Sequence, residues 1–178
     1  MKLFSRLLAL VIVLTISFSA MSQLRIPGTH VTFEFPNNDW KYLQTLTPSK
    51  NVVIYVYSYD GRAVVDGKGD TVVPFMRVYV RRNYNDTPYD LAYERYTQQP
   101  FQSLSESMDG LPSDGIAYIG AYTSASDGKD YQFRMMYFKD RNNALEIRVE
   151  TTRDTFDQME DEFVRRSEEH TSELQSLA

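Results

Sequence analysis

The chain has no cysteine, only two histidines and a single tryptophan among its 178 residues. The lack of cysteine excludes disulfides, thiolate metal ligands, iron–sulfur clusters and thiol catalysis. The scarcity of histidine excludes most imidazole-based metal sites and Ser-His-Asp chemistry. Basic residues are also few, 19 against 24 acidic ones, which gives a net charge of −5. Because nucleic-acid-binding proteins usually present a basic surface, we expect no nucleic-acid partner.

What the chain does contain is typical of a globular protein: 42% of its residues are apolar and 13% are aromatic, including 13 tyrosines. The length suits one domain and is too short for two. No internal linker, repeat or low-complexity tract interrupts it. The sequence therefore predicts one domain over residues 23–165, with a segment outside the fold at each end.

Residues 1–22 have the pattern of a secretory signal peptide: a basic start, an apolar run from Leu7 to Phe18, and small residues before a cleavage point after Ser22. A membrane-spanning helix needs about 20 apolar residues, and this run is shorter. We therefore expect cleavage, with no membrane span in the mature chain. Small exported eukaryotic proteins usually carry disulfides, so a cysteine-free exported protein favours a bacterial periplasmic or extracellular location.

Residues 166–178 are interpreted as a non-native tail. The run 166–176 resembles the in-frame translation of a widely used short-read sequencing adapter. We expect the natural gene to continue differently after Arg165. Because His170 lies in this tail, His30 is taken as the only native histidine.

The first half of the domain carries three strand patterns, in which apolar, β-branched and aromatic residues alternate. The predicted strands are Thr29–Phe35, Asn51–Tyr59 and Thr71–Asn83. Trp40–Leu43 is expected to pack as a short anchor, and Asp60–Asp70 is expected to be a loop. In the third strand, Met76, Val78 and Val80 are predicted to face inward, with Phe75, Arg77, Tyr79 and Arg81 on the opposite face.

The clearest helix signal begins at Thr87. A capping threonine, a proline at the first helical position and an acid at the third are typical of a helix start. The pattern predicts a helix up to Gln99. Pro100 should then kink this helix or begin a second one that covers Phe101–Met108.

Three more strands, Ile116–Ser124, Lys129–Lys139 and Ala144–Thr152, are predicted with tight turns between them. A final helix should carry Phe156, Met159 and Phe163 on one stripe. The order is therefore βββ-α-βββ-α. This order predicts the α+β class: a single antiparallel sheet of about six strands with helices packed against it.

The opening motif Phe33-x-Phe35-Pro36-x-x-x-Trp40, followed by this order of elements, resembles the PsbP-like family. That family is named for an extrinsic subunit of photosystem II and includes exported bacterial proteins of unknown role. The resemblance implies a binding or assembly role without catalysis. No functional residue of the family maps onto a position of this sequence.

The arginines and tyrosines of the predicted strands form the candidate ligand-binding site. If these strands are neighbours, one sheet face carries guanidinium groups among tyrosine rings, which suits carboxylate, phosphate or sugar-acid ligands, or a protein hot spot. The alternatives are that the arginines pair with Glu146 and Glu150 on a solvated face, or that a helix covers the tyrosine-rich face. The candidate residues are Arg77, Tyr79, Arg81, Arg134, Arg148, Tyr55 and Tyr57.

Two other features have simpler explanations than chemistry. His30 stands at the start of a predicted strand, a poor position for a general base, and is interpreted as an ordinary edge histidine. Asp60, Asp66 and Asp70 lie among glycines and suggest a calcium loop, but Arg77 occupies the position where an EF-hand loop counted from Asp66 needs its bidentate acid. We therefore predict no catalytic residue, no metal and no cofactor.

These observations predict an exported, non-catalytic binding or assembly module of the bacterial envelope, with a protein of unknown identity as its partner. The alternative is a small-molecule binding protein that holds an anionic ligand on the Arg/Tyr face. A hydrolase is the least favoured reading, because nearly all of the acids fall in predicted turns.

Overall fold

The computed structural model describes residues 23–34, 38–98, 103–104 and 115–159. In this part of the chain one α-helix, α1 (Pro88–Gln98), follows the seventh strand. A 3-10 turn over Arg153–Thr155 continues as a helical turn over 156–159. The strands are β1 (Gln23–Arg25), β2 (Thr32–Glu34), β3 (Trp40–Ser49), β4 (Val52–Tyr59), β5 (Val64–Val65), β6 (Thr71–Val72), β7 (Phe75–Arg82), β8 (Ser103–Leu104), β9 (Ile116–Thr123), β10 (Asp130–Asp140) and β11 (Asn143–Thr152).

Seven of these strands form one sheet in the order β3-β4-β7-β11-β10-β9-β8, and every neighbouring pair is antiparallel. Six of the seven are long, and β8 has two residues. The pairs β1–β2 and β5–β6 form separate hairpins. The predicted α+β class, with an antiparallel sheet as its main element, is confirmed.

One face of the sheet carries the larger hydrophobic core, and we call it the core face. Strand alternation places Met76, Val78 and Val80 on this face, and all three are buried as predicted. Burial of each such side chain contributes about 1.5–3 kcal/mol to folding. The core face is covered by side chains of the β1–β2 hairpin, the β5–β6 hairpin and the last helical turn: Ile26, Val31, Phe33, Val64, Val72 and Met159.

The other face, which we call the helix face, packs against α1. Leu91 and Ala92 of the helix are buried against a second apolar cluster on the central strands. The sheet members of that cluster are Phe133, Met135, Tyr137 and Ala144, and Tyr84 joins it from the β7–α1 connection.

The start of α1 follows the predicted capping pattern. The Thr87 hydroxyl accepts a 3.2 Å hydrogen bond from the Asp90 amide, and the Asp90 carboxylate accepts a 2.9 Å hydrogen bond from the Thr87 amide. These reciprocal bonds satisfy two amides that the helix cannot satisfy itself, which fixes the point where the chain turns onto the helix face.

Several predicted boundaries are wrong. Trp40–Leu43 is the beginning of the ten-residue strand β3, because Trp40 and Tyr42 pair with Tyr59 and Tyr57 of β4. Among the described residues of the predicted strand Thr29–Phe35, which are 29–34, the strand covers Thr32–Glu34, and it pairs with β1 outside the main sheet. The run Thr71–Asn83 is divided into β6 and β7 at Pro74, and β7 begins directly after this proline, as expected of a residue that cannot donate to a strand ladder.

The second predicted helix, Phe101–Met108, also needs correction. Within it the structure describes only Ser103–Leu104, which pair with Ile119 and Tyr118 as strand β8. The exposed edge of β9 offers backbone partners here, and strand pairing replaces the local helical pattern. The rest of that segment, the signal-peptide residues 1–22, Phe163 and the tail 166–178 lie outside the residues described.

Across the residues placed by the structure, no helix combines the length and apolar character needed to cross a membrane.

Candidate functional site

The helix face carries a layer of charged side chains on β7 and β11. Residues that pair across an antiparallel ladder point to the same side, so the pairs Arg77–Arg148, Tyr79–Glu146 and Arg81–Ala144 share this face. Glu94 and Arg95 reach the same layer from α1. We call the charged members the ionic layer: Arg77, Arg81, Glu94, Arg95, Glu146, Arg148 and Glu150.

Glu150 is buried and is held by two arginines. Its carboxylate accepts hydrogen bonds from Arg77 and, at 2.8 Å, from Arg148 Nε. The Arg148 guanidinium lies 4.2 Å from the centre of the Phe133 ring, which fixes its plane. Burial lowers the pKa of Arg77, but Glu150 outweighs burial and leaves that pKa above its usual value. This end of the ionic layer therefore has two guanidinium groups on one carboxylate, with a net charge of +1.

Glu146 links the sheet to α1. Only 3% of its side chain is exposed, and its Oε2 accepts a 2.7 Å hydrogen bond from Arg95 Nε. The Arg95 guanidinium also lies 5.3 Å from the Tyr79 ring centre. Burial raises the pKa of Glu146, and Arg95 opposes that shift. A buried, hydrogen-bonded ion pair of this kind is held in place, because opening it leaves a charge in a dry site.

Arg81 and Glu94 form the outer pair of the ionic layer. Their side chains are 40% and 44% exposed, and they contact each other directly. The Arg81 guanidinium lies over the buried Tyr84 ring, 4.9 Å from its centre. An exposed ion pair contributes only about 0–1 kcal/mol, so this pair can open at little cost.

A groove of about 310 Å³ lies between α1 and strands β3, β4, β7 and β11. Both ion pairs that involve α1 line it, together with Tyr79 and Ser49. Its apolar lining is Pro48, Val52, Ile54, Leu91 and Ala144. A small concave site with an apolar lining and a few oriented polar groups is typical of a ligand-binding pocket.

The seven candidate residues do not share one face. Arg77, Tyr79, Arg81 and Arg148 share one face as predicted, and that face is the helix face. Tyr55, Tyr57 and Arg134 are on the core face, because they pair with Val78, Met76 and Val149 respectively. The expectation of a common face is therefore wrong for these three.

Removal from water shifts the pKa values of these three core-face residues, and it raises that of Tyr55. Desolvation raises the pKa of Tyr57 to about 12 and lowers the pKa of Arg134. The structure instead shows the alternative pairing, in which Arg77 and Arg148 bind Glu150 while α1 covers part of the face.

Sequence reasoning missed Arg95 and Glu94. Arg95 falls on the same helical stripe as Leu91 and Ala92, which are buried against the sheet. An arginine on an apolar stripe needs a buried acid as its partner, and this signal could have pointed to Glu146. The tyrosine of the connection, Tyr84, was also missed, although it orients Arg81.

His30 and the acidic loop Asp60–Asp70, the two other features that the sequence analysis considered, have structural roles. His30 is exposed and contacts Asp140, with 3.2 Å between Nδ1 and Oδ1. Asp66 accepts hydrogen bonds from the amides of Lys68 and Asp70, and from Lys129 Nζ at 2.8 Å. Within the described ranges no group of three or more acids or histidines is arranged to hold a metal ion.

A row of tyrosines marks the outer face of α1. Tyr89, Tyr93 and Tyr96 are 64%, 70% and 45% exposed. Their spacing of four and then three residues places them on one side of the helix. Asp86 and Asp90 are exposed beside the start of this row, and we call the five residues the tyrosine face.

A comparison with known proteins finds no matching family model, no matching curated protein and no matching solved structure. The resemblance to the PsbP-like family therefore stays a prediction.

Proposed function

We propose that the protein is a non-catalytic binding or assembly module of the bacterial envelope, and that it docks a protein partner on the tyrosine face. The observation that carries this proposal is the row of Tyr89, Tyr93 and Tyr96, all strongly exposed on one side of α1. Tyrosine is enriched at protein interfaces because it gives a large contact area with few rotatable bonds and a polar tip.

The charges of the tyrosine face favour a partner with basic side chains. Asp86 and Asp90 stand beside the row, and a hydrogen bond from Thr87 lowers the pKa of Asp90, so this carboxylate stays ionised. Arg95 is the only basic residue of α1, and its guanidinium binds Glu146. A lysine or arginine of the partner would meet carboxylates and ring faces together.

Export and family membership belong to the same proposal. The pattern of residues 1–22 supports secretion, and the absence of cysteine supports a bacterial envelope location. The motif from Phe33 to Trp40 and the predicted element order βββ-α-βββ-α support a PsbP-like protein. A non-catalytic role is supported by the ionic layer, whose buried acids Glu146 and Glu150 are engaged by arginines.

Site-specific photocrosslinking in the organism that encodes the protein tests the docking proposal. Benzoylphenylalanine in place of Tyr93 should capture one envelope protein. The same group in place of Val73, an apolar residue that is 46% exposed elsewhere on the surface, should not capture it.

The captured protein, once purified, should bind the wild-type chain, and Tyr93→Ala should weaken that binding at least tenfold. Asp86→Asn and added salt should weaken it further, because exposed charges are screened by salt. Equal capture at both positions, or binding indifferent to Tyr93→Ala, would refute docking at this face.

A second candidate function, binding of an anionic small molecule, is favoured by one observation. The groove beside α1 brings Arg81 and Arg95 to a partly apolar cavity of about 310 Å³.

A further inference from the structure

We infer that this groove binds a small monocarboxylate with an apolar body, anchored by Arg81 in place of Glu94. This inference rests on the second candidate function, and it names the ligand class, the anchoring residue and the internal group that the ligand replaces.

The orientation of Arg81 is already set for a carboxylate. It projects from β7 onto the helix face, and the ring of buried Tyr84 lies under its guanidinium at 4.9 Å. Its Nη1 contacts the carboxylate of Glu94. An arginine fork recognises carboxylates by geometry as well as by charge, so Glu94 stands where the carboxylate of a ligand would bind.

Exposure decides which carboxylate a ligand can replace. Glu94 is 44% exposed, so it can rotate into water and stay hydrated. Its second contact is a long one, 3.5 Å from the Tyr84 hydroxyl. Glu146 is 3% exposed and cannot leave Arg95 without losing both hydration and its partner. The exchangeable position is therefore at Arg81.

The charge balance of the groove favours a monoanion. The lining holds two arginines, Arg81 and Arg95, and two glutamates, Glu94 and Glu146. When a monocarboxylate replaces Glu94, two positive charges still face two negative ones. A dianion would leave a surplus negative charge beside buried Glu146.

The apolar side chains that line the groove determine which kind of ligand body fits it. Pro48, Val52, Ile54 and Leu91 present apolar surface next to Arg81. The volume of about 310 Å³ corresponds to roughly ten water molecules at about 30 Å³ each. A short aliphatic or aromatic chain fits this space and removes the apolar lining from water.

Isothermal titration with hexanoate, hexanol and inorganic phosphate tests the inference on the full chain. Hexanoate should bind, and hexanol should bind at least tenfold more weakly. Arg81→Gln should weaken hexanoate binding at least tenfold, whereas Arg82→Gln, the matched exposed neighbour on the opposite face, should leave it unchanged. Glu94→Gln should strengthen it severalfold, because the internal competitor loses its charge.

The outcomes separate the inference from the function on which it rests. Equal affinity for hexanol, or a weaker affinity in Glu94→Gln, overturns the carboxylate exchange. Phosphate binding without hexanoate binding overturns the inference and leaves the anion-binding function standing. If none of the three probes binds, both the inference and the anion-binding function are refuted. Because Glu94→Gln is expected to gain affinity, loss of folding cannot imitate its predicted result.

Discussion

Arg95 of α1 and Glu146 of β11 are joined by a 2.7 Å hydrogen bond from Nε to Oε2, at a point where the glutamate side chain is almost fully buried. Leu91 and Ala92 pack against the sheet one turn earlier on the helix. The pair is therefore a buried polar link between the helix and the sheet, next to the exposed Arg81–Glu94 pair.

This link predicts unequal effects of removing its two members. Arg95→Leu should lower the free energy of unfolding by about 3 kcal/mol, because it leaves a buried carboxylate without its partner. Glu146→Gln should lower it by only about 1 kcal/mol, since a neutral amide can still accept a hydrogen bond and Arg95 can reach water. Urea denaturation measures both, with Arg82→Leu as the control for an exposed arginine. Equal losses would contradict the asymmetry.

The pH dependence of stability should have two opposite parts. Burial raises the pKa of Glu146 in the folded state. The contribution of Glu146 to stability is therefore fully present below its unfolded-state pKa of about 4.3, and it is lost as the pH rises through its folded-state pKa. Hydrogen bonds lower the pKa values of Asp66, Asp90 and Asp127 in the folded state. The contributions of these three groups to stability are therefore present above their unfolded-state pKa of about 3.9, and they are lost as the pH falls through their folded-state pKa values.

We therefore expect the free energy of unfolding to rise on acidification from pH 7 towards about 4.5, and to fall below about 4. Arg95, Arg148 and Arg81 face Glu146 and limit the size of the rise, while the nearby tyrosines are neutral throughout this range. Urea denaturation at a series of pH values should show that Glu146→Gln abolishes the rise and keeps the fall. An unchanged profile in that variant would assign the rise to another group.

Local signals predicted much of the fold. The alternation of Met76, Val78 and Val80 defined the faces of β7, and the cap at Thr87 defined the start of α1, because both depend on residues close in sequence. Strand β3 was missed because Lys41–Ser49 are exposed and show no alternation of buried residues. Its extended form depends on pairing with β4, which the local pattern does not report.

The site was predicted only in part, for a related reason. Arg77 and Arg148 share a face because β7 and β11 are neighbours, which was the condition attached to that prediction. The face of Arg134 depends on the register between β10 and β11, and a shift of one residue reverses it. The partner of Glu146 could not be fixed either, since it comes from a helix whose position over the sheet is a tertiary property.

Gly120 of β9 lies directly opposite Phe133 of β10, and a Cβ at this glycine would overlap the phenylalanine ring. Gly120→Ala should therefore lower the free energy of unfolding by about 1–3 kcal/mol through overpacking. In a Phe133→Leu background the same change should cost much less, because the ring is gone. Urea denaturation of the wild type, the two single variants and the double variant gives the coupling free energy between the two positions. Additive losses would show that the Phe133 ring does not set the requirement for glycine.

Lys129, in the turn between β9 and β10, fixes the loop between β5 and β6. Its ammonium contacts Asp66 and Asp70 at 2.8 and 3.1 Å, and both carboxylates raise the pKa of Lys129. Lys129→Met should release the loop and make trypsin cleave after Lys68 faster. The same substitution at Lys50, an exposed lysine elsewhere, should leave the rate at Lys68 unchanged.

Calcium distinguishes the two explanations of this loop. If the acids serve to bind Lys129, millimolar calcium should protect neither the wild-type chain nor Lys129→Met from cleavage after Lys68. The reason is that, among the residues the structure describes, no group of three or more acids or histidines could hold the ion. Protection of the wild-type chain by calcium would instead show that Asp66 and Asp70 bind a cation that competes with the ammonium group. Limited proteolysis with and without calcium therefore decides between an ion pair and a metal loop.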